Sequence, residues 1–264
     1  MQNRNWLYNR AVLLELFVII NLSFLALDVF IAHSVNSFAH RAEWIPLIFS
    51  LAAPLLLLLT LFRGQDRMKR CVGRGVGWVS VFIGIGGMLF HLESQFFSDL
   101  TVKSLVYTAP FIAPLSYAGI GLLLIMHHTV EADSAEWGRW ILVMAFVGFL
   151  GNFLLSLCDH AQNGFFNWGE WIPVYTSAMA VGFLVTAIVQ PHNVSFLKLC
   201  LAILALNCVT GIVGFCWHVS ANLQVSAPSV KDSFLYGAPA FAPLLFPNLS
   251  LLGALGIFGV MRGR

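Results

Sequence analysis

The chain has 264 residues, of which 59% are hydrophobic and only 10% are charged, and its formal net charge is +2. With a mean hydropathy of +0.83, it has too little polar surface for a soluble globular protein of this length. The small positive charge gives no basis for a nucleic-acid partner, since it comes from short basic loops. The composition therefore predicts an integral membrane protein surrounded by the lipid bilayer.

Apolar runs of about 20 residues recur along the chain, and each is long enough to cross a hydrocarbon core about 30 Å thick. Lipid offers no hydrogen-bond partners to the backbone, so these runs are expected to be helices. The predicted fold class is all-α, a polytopic membrane protein with eight transmembrane helices. The runs cover approximately residues 11–32, 44–62, 76–95, 105–127, 138–158, 171–190, 196–218 and 235–260.

The basic residues are distributed unequally between the two sides of this topology. Three of them, Arg41, Lys103 and Lys231, fall on one side, and the other eleven fall on the opposite side with both termini. Cytoplasmic loops of membrane proteins carry an excess of Lys and Arg. We therefore expect both termini to be cytoplasmic, in a protein of the bacterial inner membrane. The eleven are Arg4, Arg10, Arg63, Arg67, Lys69, Arg70, Arg74, Arg139, Lys198, Arg262 and Arg264.

The loop after the first run has a second copy after the fifth run, at a constant offset of 127 residues. Seven of its fourteen positions are identical in the two copies. The first copy reads His33-Ser-Val-Asn36-Ser-Phe38-Ala-His40-Arg-Ala-Glu43-Trp44-Ile45-Pro46. The second copy reads His160-Ala-Gln-Asn163-Gly-Phe165-Phe-Asn167-Trp-Gly-Glu170-Trp171-Ile172-Pro173.

The same offset of 127 residues also pairs His91 with His218, at the ends of the third and seventh runs. The chain is therefore predicted to consist of two tandem four-helix transmembrane repeats, residues 1–130 and 131–264. Because four is an even number, both repeats enter the membrane from the same side and are parallel. This topology places the repeated histidines and glutamates at one outer membrane face.

Imidazole and carboxylate groups are common ligands of zinc, copper and iron. Two histidines and one glutamate in each half predict a duplicated metal site, either one metal in each half or two metals held jointly. The predicted ligands are His33, Glu43, His91, His160, Glu170 and His218.

Several further polar residues lie near this set in the sequence and are predicted to support or complete it. Asn36 and Asn163 are repeated, one helical turn after the first histidine, and are expected to orient the ligands. Asp28, near the outer end of the first run, is expected to reach the same cavity, and His40 would be an extra ligand in one copy only. The unpaired residues Asp159 and Glu93 would make the two sites unequal. The alternative without a metal is that the histidines bind loop carbonyls while Glu43 and Glu170 cap helices.

Glycines and prolines repeat with the histidines. Gly87 and Gly214 lie four residues before His91 and His218, on the same helix face, where they admit a neighbouring helix or a flat cofactor. Two segments with prolines four residues apart, Tyr107-Thr-Ala-Pro110-Phe-Ile-Ala-Pro114 and Tyr236-Gly-Ala-Pro239-Ala-Phe-Ala-Pro243, are predicted to distort helix starts. The distortion would either serve helix packing alone or release backbone carbonyl groups that line a cavity or bind a cation.

Three functions are compatible with these patterns. The first is a metalloprotein of the periplasmic face with redox or metal-activated chemistry, and, if it is an enzyme, a metal-dependent membrane oxidoreductase. The second is a haem b or quinol electron-transfer subunit with histidine axial ligands, for which Gly87 and Gly214 would make room. The third is a transporter or metal-export channel. Other membrane subunits or a periplasmic electron-transfer protein would be the partners of the first two.

Overall fold

The computed structural model describes residues 9–262, which are mostly helical and contain no strand. The expectations for Arg4, Arg264 and the two chain ends lie outside the described residues. The helices are α1 (Arg10–Ser34), α2 (Trp44–Arg63), α3 (Asp66–Glu93), α4 (Val102–Tyr107), α5 (Leu115–His127), α6 (Ala135–Gln162), α7 (Trp171–Val189), α8 (Val194–Gln224), α9 (Val230–Tyr236) and α10 (Leu245–Arg262).

Seven of the described helices are long and apolar enough to cross a membrane: α1, α2, α3, α6, α7, α8 and α10, three of them with a preceding 3-10 turn. Many of their large hydrophobic side chains are exposed on the isolated chain, as expected for side chains that face lipid. The protein is therefore an all-α membrane protein, as its composition predicts.

The fourth predicted run, 105–127, differs from the expectation of one continuous helix. It contains the end of the six-residue helix α4, a non-helical stretch, and the 13-residue helix α5. A 13-residue helix is about 20 Å long, short of the hydrocarbon thickness. Pro110 and Pro114 explain the break, since proline lacks an N–H donor and disfavours helical backbone in the preceding residue.

The described residues group into two compact units. The first contains residues up to Ile83 together with Tyr117–Ala132, and the second contains Gly84–Ser116 and Asp133 onwards. The stretch 84–116 thus clusters with the second half of the chain, whereas the sequence repeat assigns it to the first half. The boundary near residue 130 and the tandem arrangement stay predictions.

In the first unit, α1 packs against α2, and α3 packs against α5 through two glycines. A side chain at Gly121 would collide with the backbone oxygen of Gly77. Tyr117 of α5 is buried and shares a hydrogen bond of 2.5 Å with Ser50 of α2. Its hydroxyl group also donates to the backbone oxygen of Pro46, at 3.2 Å. These bonds join α5 to α2 within the apolar interior.

In the second unit, α6, α7, α8 and α10 pack in a closed cycle, each helix against the next. Glycines make the closest approach possible between α6 and α10. A Cβ atom at Gly138 would lie 2.5 Å from the backbone nitrogen of Val260, and one at Gly256 would lie 3.0 Å from the backbone nitrogen of Leu142. Small residues of this kind let transmembrane helices approach closely. This bundle holds one complete copy of the predicted ligand set.

Candidate functional site

The first copy of the motif forms a tight turn at the end of α1. Ser37 and Phe38 both have positive φ angles, 58° and 54°, and the Phe38 amide donates to the backbone oxygen of His33 at 3.0 Å. The Phe38 ring stacks on Trp44 with ring centroids 4.3 Å apart. Positive φ is strained for residues other than glycine and is kept only where surrounding contacts require it. The turn places His33 beside the start of α2.

The second copy forms the same turn at the end of α6. Gly164 and Phe165 have φ angles of 73° and 51°, and the Phe165 amide donates to the backbone oxygen of His160 at 3.1 Å. The Phe165 ring stacks on Trp171 with ring centroids 3.9 Å apart. The two loops therefore share their backbone conformation and their aromatic stack, residue for residue.

Glu43 and Glu170 occupy the N-cap positions of α2 and α7, but neither side chain caps its helix. Oε2 of Glu43 lies 3.5 Å from Nδ1 of His33, and Oε2 of Glu170 lies 3.9 Å from Nδ1 of His160. Both oxygens are buried and have no hydrogen-bond partner among the described residues. These distances exceed those of a hydrogen bond, so the contact is electrostatic. The expectation that the two carboxylates are simple helix caps does not fit this geometry.

The other carboxylate oxygen of each glutamate accepts a hydrogen bond from an asparagine, but from different positions in the two copies. Asn36 donates to Oε1 of Glu43 at 2.9 Å, whereas Asn167 donates to Oε1 of Glu170 at 3.2 Å. Asn163, the sequence counterpart of Asn36, is the C-cap residue of α6. Asn167 occupies the position of His40, which is exposed. Asn167 lies three residues before the repeated Glu170, and this spacing is the one sequence signal that points to it.

His91 and His218 make the same bond, two residues before the end of α3 and six residues before the end of α8. Nδ1 of His91 lies 2.9 Å from the backbone oxygen of Pro110, and Nδ1 of His218 lies 2.8 Å from that of Pro239. A carbonyl oxygen only accepts hydrogen bonds, so Nδ1 must carry the proton. In the neutral ring the lone pair is then on Nε2, the nitrogen that is able to bind a metal. The proline carbonyls predicted to be released by the helix breaks are therefore bonded to these histidines.

A further hydrogen bond, made by a side chain close to each histidine, holds the residue that precedes the bonded proline. In the second unit, the buried side chain of Asn222 both donates to the backbone oxygen of Ala238 and accepts from its amide, each at 2.8 Å. In the segment before α5, the Ala109 amide donates to Oγ of Ser94 at 3.1 Å. Asn222 and Ser94 were not singled out by the sequence repeat, because they are not at matching positions.

Gly87 and Gly214 are explained by close packing. A Cβ atom at Gly87 would lie 2.9 Å from Cβ of Pro114, and one at Gly214 would lie 3.1 Å from Cβ of Pro243. The helix face before each histidine therefore contacts the second proline of the following segment. This contact accounts for both glycines without a flat cofactor at these positions.

The second unit contains His160, Glu170 and His218, and the two histidines lie within electrostatic range of each other. Within residues 9–262, however, no three His, Cys, Asp or Glu side chains converge in a metal-binding arrangement. The set of three ligands in each half stays a prediction. His33 and Glu43 lie together in the first unit, whereas His91 belongs to the second.

The unpaired acids lie in different surroundings. Asp159 of α6 lines a small cavity with Cys158 and Gln162, against the segment that follows α4. Asp28 of α1 lies close enough to Tyr117 of α5 for its charge to act on the phenol group. Their accessory role at the repeated histidines stays a prediction.

His127 and His128 lie at the opposite end of the fold, after α5, with ring centroids 4.9 Å apart. Gly73 of α3 makes room for the His128 ring, which a side chain at that position would overlap. Burial, together with the positive charges of Arg74 and Arg70, lowers the pKa of His128 to about 4. This histidine is therefore neutral at physiological pH.

No protein-family model, no curated protein and no solved structure matches the chain.

Proposed function

We propose that this chain is an integral membrane metalloprotein with a duplicated histidine and glutamate site, in which the metal supports redox or metal-activated chemistry. The observation that carries the proposal is the position of Nδ1 in the repeated histidines. In His218 this nitrogen is bonded to a carbonyl oxygen, and in His33 and His160 it faces a buried glutamate oxygen. Histidines that bind metals through Nε2 usually have Nδ1 held by a carbonyl or carboxylate group in this way.

In the second unit, the proposed ligands are Nε2 of His160 and Nε2 of His218. Glu170 completes the site either as a third ligand or by holding the His160 ring, and its buried Oε2 atom supports both roles because it lacks a hydrogen-bond partner among the described residues. A buried carboxylate oxygen that accepts no hydrogen bond is costly, and a bound cation would offset that cost. Copper, iron and zinc all accept imidazole and carboxylate ligands.

In the first unit, His33 and Glu43 keep the same relation, with the shorter distance of 3.5 Å. The proposal of a duplicated site rests on this match. Aromatic side chains stacked beside each histidine would limit the access of water to the metal, as redox chemistry requires. A bacterial inner membrane, with this face in the periplasm, is the proposed location.

Haem b is the second candidate, because a haem takes two axial imidazoles and the second unit contains two repeated histidines within electrostatic range of each other, with no group of three ligands among the described residues. Gly214 does not support a haem, because its close contact with Pro243 already explains the absence of a side chain there. A cation-transport function is weaker, since the Pro239 carbonyl group already accepts from His218.

The test is metal analysis and absorption spectroscopy of the full chain purified in detergent. Stoichiometric copper, iron or zinc without a haem spectrum would support the first proposal, and a haem spectrum would support the second. The informative variant is His218→Asn, because the Asn side-chain amide is placed to donate to the Pro239 carbonyl group as Nδ1 does, but it has no counterpart of Nε2. The proposal expects this variant to fold and to lose the metal, whereas His192→Ala, on the exposed α7–α8 link, should retain it. A folded wild-type protein without metal or haem would overturn both.

A further inference from the structure

A group of exposed arginines lies around the turn between α2 and α3, at the end of α2 opposite the first copy of the repeated loop. Arg63 is the last residue of α2, and the three arginines of α3 follow at spacings of three and four residues, which puts them on one helix face. We call this group the arginine face. It consists of Arg63, Arg67, Arg70 and Arg74, all of which are exposed.

The arginine face continues directly into an apolar surface along α3. Trp78 and Phe82 follow Arg74 at intervals of one helical turn, with 52% and 69% of their surfaces exposed. Their ring centroids lie 6.3 Å apart. Tryptophan is enriched at the boundary between headgroups and hydrocarbon, and phenylalanine is favourable within the hydrocarbon core. This order of side chains positions the arginines at the level of the lipid headgroups.

The structure fixes one end of the arginine face. Nη2 of Arg74 donates to the backbone oxygen of His128 at 2.9 Å, so this arginine is held against the end of α5. Lys69 is on another side of α3, where its charge acts on Glu15 of α1. Asp66, in the first turn of α3, is the one acid of the stretch 63–74. The cations therefore far outnumber the acids here.

The corresponding stretch of the second half lacks this feature. At the offset of 127 residues, the four arginine positions are occupied by uncharged residues, although α7 and α8 are joined by a similarly short turn. A short turn between two membrane helices therefore does not require the charges. The residues at the four positions are Gln190, Val194, Leu197 and Leu201.

We propose that the arginine face binds the headgroups of anionic phospholipids in the leaflet that surrounds the start of α3. Guanidinium groups form paired hydrogen bonds with phosphate oxygens. Trp78 and Phe82 specify a lipid over free phosphate, because they extend the same surface to the depth of the acyl chains. The interaction does not depend on the metal site, so its test is independent of the proposed function.

The test measures which lipids the full chain retains from mixed vesicles of phosphatidylglycerol and phosphatidylcholine, by native mass spectrometry. The wild-type protein should retain phosphatidylglycerol preferentially, and Arg67→Gln/Arg70→Gln should lower that preference about 10-fold, since each basic residue near the surface contributes to the attraction. Arg139→Gln/Lys198→Gln removes two exposed charges from α6 and α8 and should leave the preference within about twofold. Arg67→Lys/Arg70→Lys keeps both charges but loses the paired hydrogen bonds, so it should retain more of the preference than Arg67→Gln/Arg70→Gln and less than the wild type, which separates loss of charge from loss of the fold.

Two results would overturn the proposal. One is an equal preference in the wild-type protein and in Arg67→Gln/Arg70→Gln, measured on variants that elute as the wild type does. The other is displacement of the bound lipid by inorganic phosphate, added while the salt concentration is lowered to keep the ionic strength constant. That result would identify a phosphate site.

Discussion

The two copies of the repeated motif differ in detail while keeping one relation constant. In each, a histidine at a helix end faces a glutamate at the next helix start, beside a stacked Phe–Trp pair. The asparagine that binds the glutamate comes from position 36 in the first copy but from position 167 in the second. Because the supporting residue has changed place and the His–Glu relation has not, that relation is the property we take to be functional.

The copies also differ in how tightly the pair is enclosed. The His–Glu distance is 3.5 Å in the first copy and 3.9 Å in the second, and the exposed fractions of the glutamate side chains are 11% and 19%. The turn contains Ser37 in one copy and Gly164 in the other, both with positive φ. Glycine is therefore not what imposes this backbone conformation, and the aromatic stack and the helix-ending hydrogen bond are the features common to both.

The largest difference in the effect of substitution on stability is expected at the two segments whose proline carbonyl groups are bonded to His91 and His218. Asn222→Ala removes two hydrogen bonds between a buried side chain and Ala238, whereas Ser94→Ala removes the bonds of an exposed hydroxyl group to the Ala109 amide, the His91 carbonyl group and the Thr108 hydroxyl group. We expect losses in the free energy of unfolding of about 3 kcal/mol for Asn222→Ala and about 1 kcal/mol for Ser94→Ala. Denaturant titration in detergent measures both. Equal losses would show that the two segments are held in the same way.

A smaller difference in stability loss is expected when the two glutamates are replaced. Glu43→Ala should cost about 2 kcal/mol and Glu170→Ala about 1 kcal/mol, because Glu43 is less exposed and has the shorter bond to asparagine. The control is Glu43→Gln, which keeps an acceptor for Asn36 and removes the charge opposite His33. Thermal unfolding in detergent gives the ranking, and a larger loss at Glu170 would contradict it.

The smallest difference concerns the turn itself. Ser37→Gly should stabilise the protein, and Gly164→Ser should destabilise it, each by about 1 kcal/mol or less, because a left-handed backbone costs energy for residues other than glycine. The Gly164 exchange isolates the backbone effect, since the nearest atom to a Cβ there is 3.9 Å away. Changes of the same sign in the two variants would show that contacts of the side chain decide the outcome.

The helix positions were largely predictable from the sequence, because a long hydrophobic run indicates the part of the chain that crosses the bilayer. The run predicted at 171–190 corresponds to α7, Trp171–Val189. The run predicted from residue 76 begins ten residues late, since α3 starts at Asp66 and its first turns are basic. Hydropathy detects the part of a helix in lipid and cannot detect the part outside it. The break between α4 and α5 was indicated by the prolines, but its length depends on tertiary hydrogen bonds.

The candidate site was predictable only where it repeats. His160 and Glu170 were singled out because identical residues occur in both copies at one offset, and the structure places the two side chains opposite each other. Asn167 and Asn222 act from positions that have no identical partner, so a repeat cannot reveal them. The bond from His218 to the Pro239 carbonyl group joins residues 21 apart in the chain, and no local pattern specifies it.

X-ray absorption spectroscopy of the purified protein, at the edge of the metal that it holds, tests the central claim most directly. The proposal predicts scattering from two imidazole rings for each metal ion of the second unit, and a reduced imidazole contribution in His218→Asn, in which the bond to Pro239 is expected to persist. A metal ion without imidazole scattering, or an unchanged spectrum in His218→Asn, would contradict the assignment of these histidines as ligands.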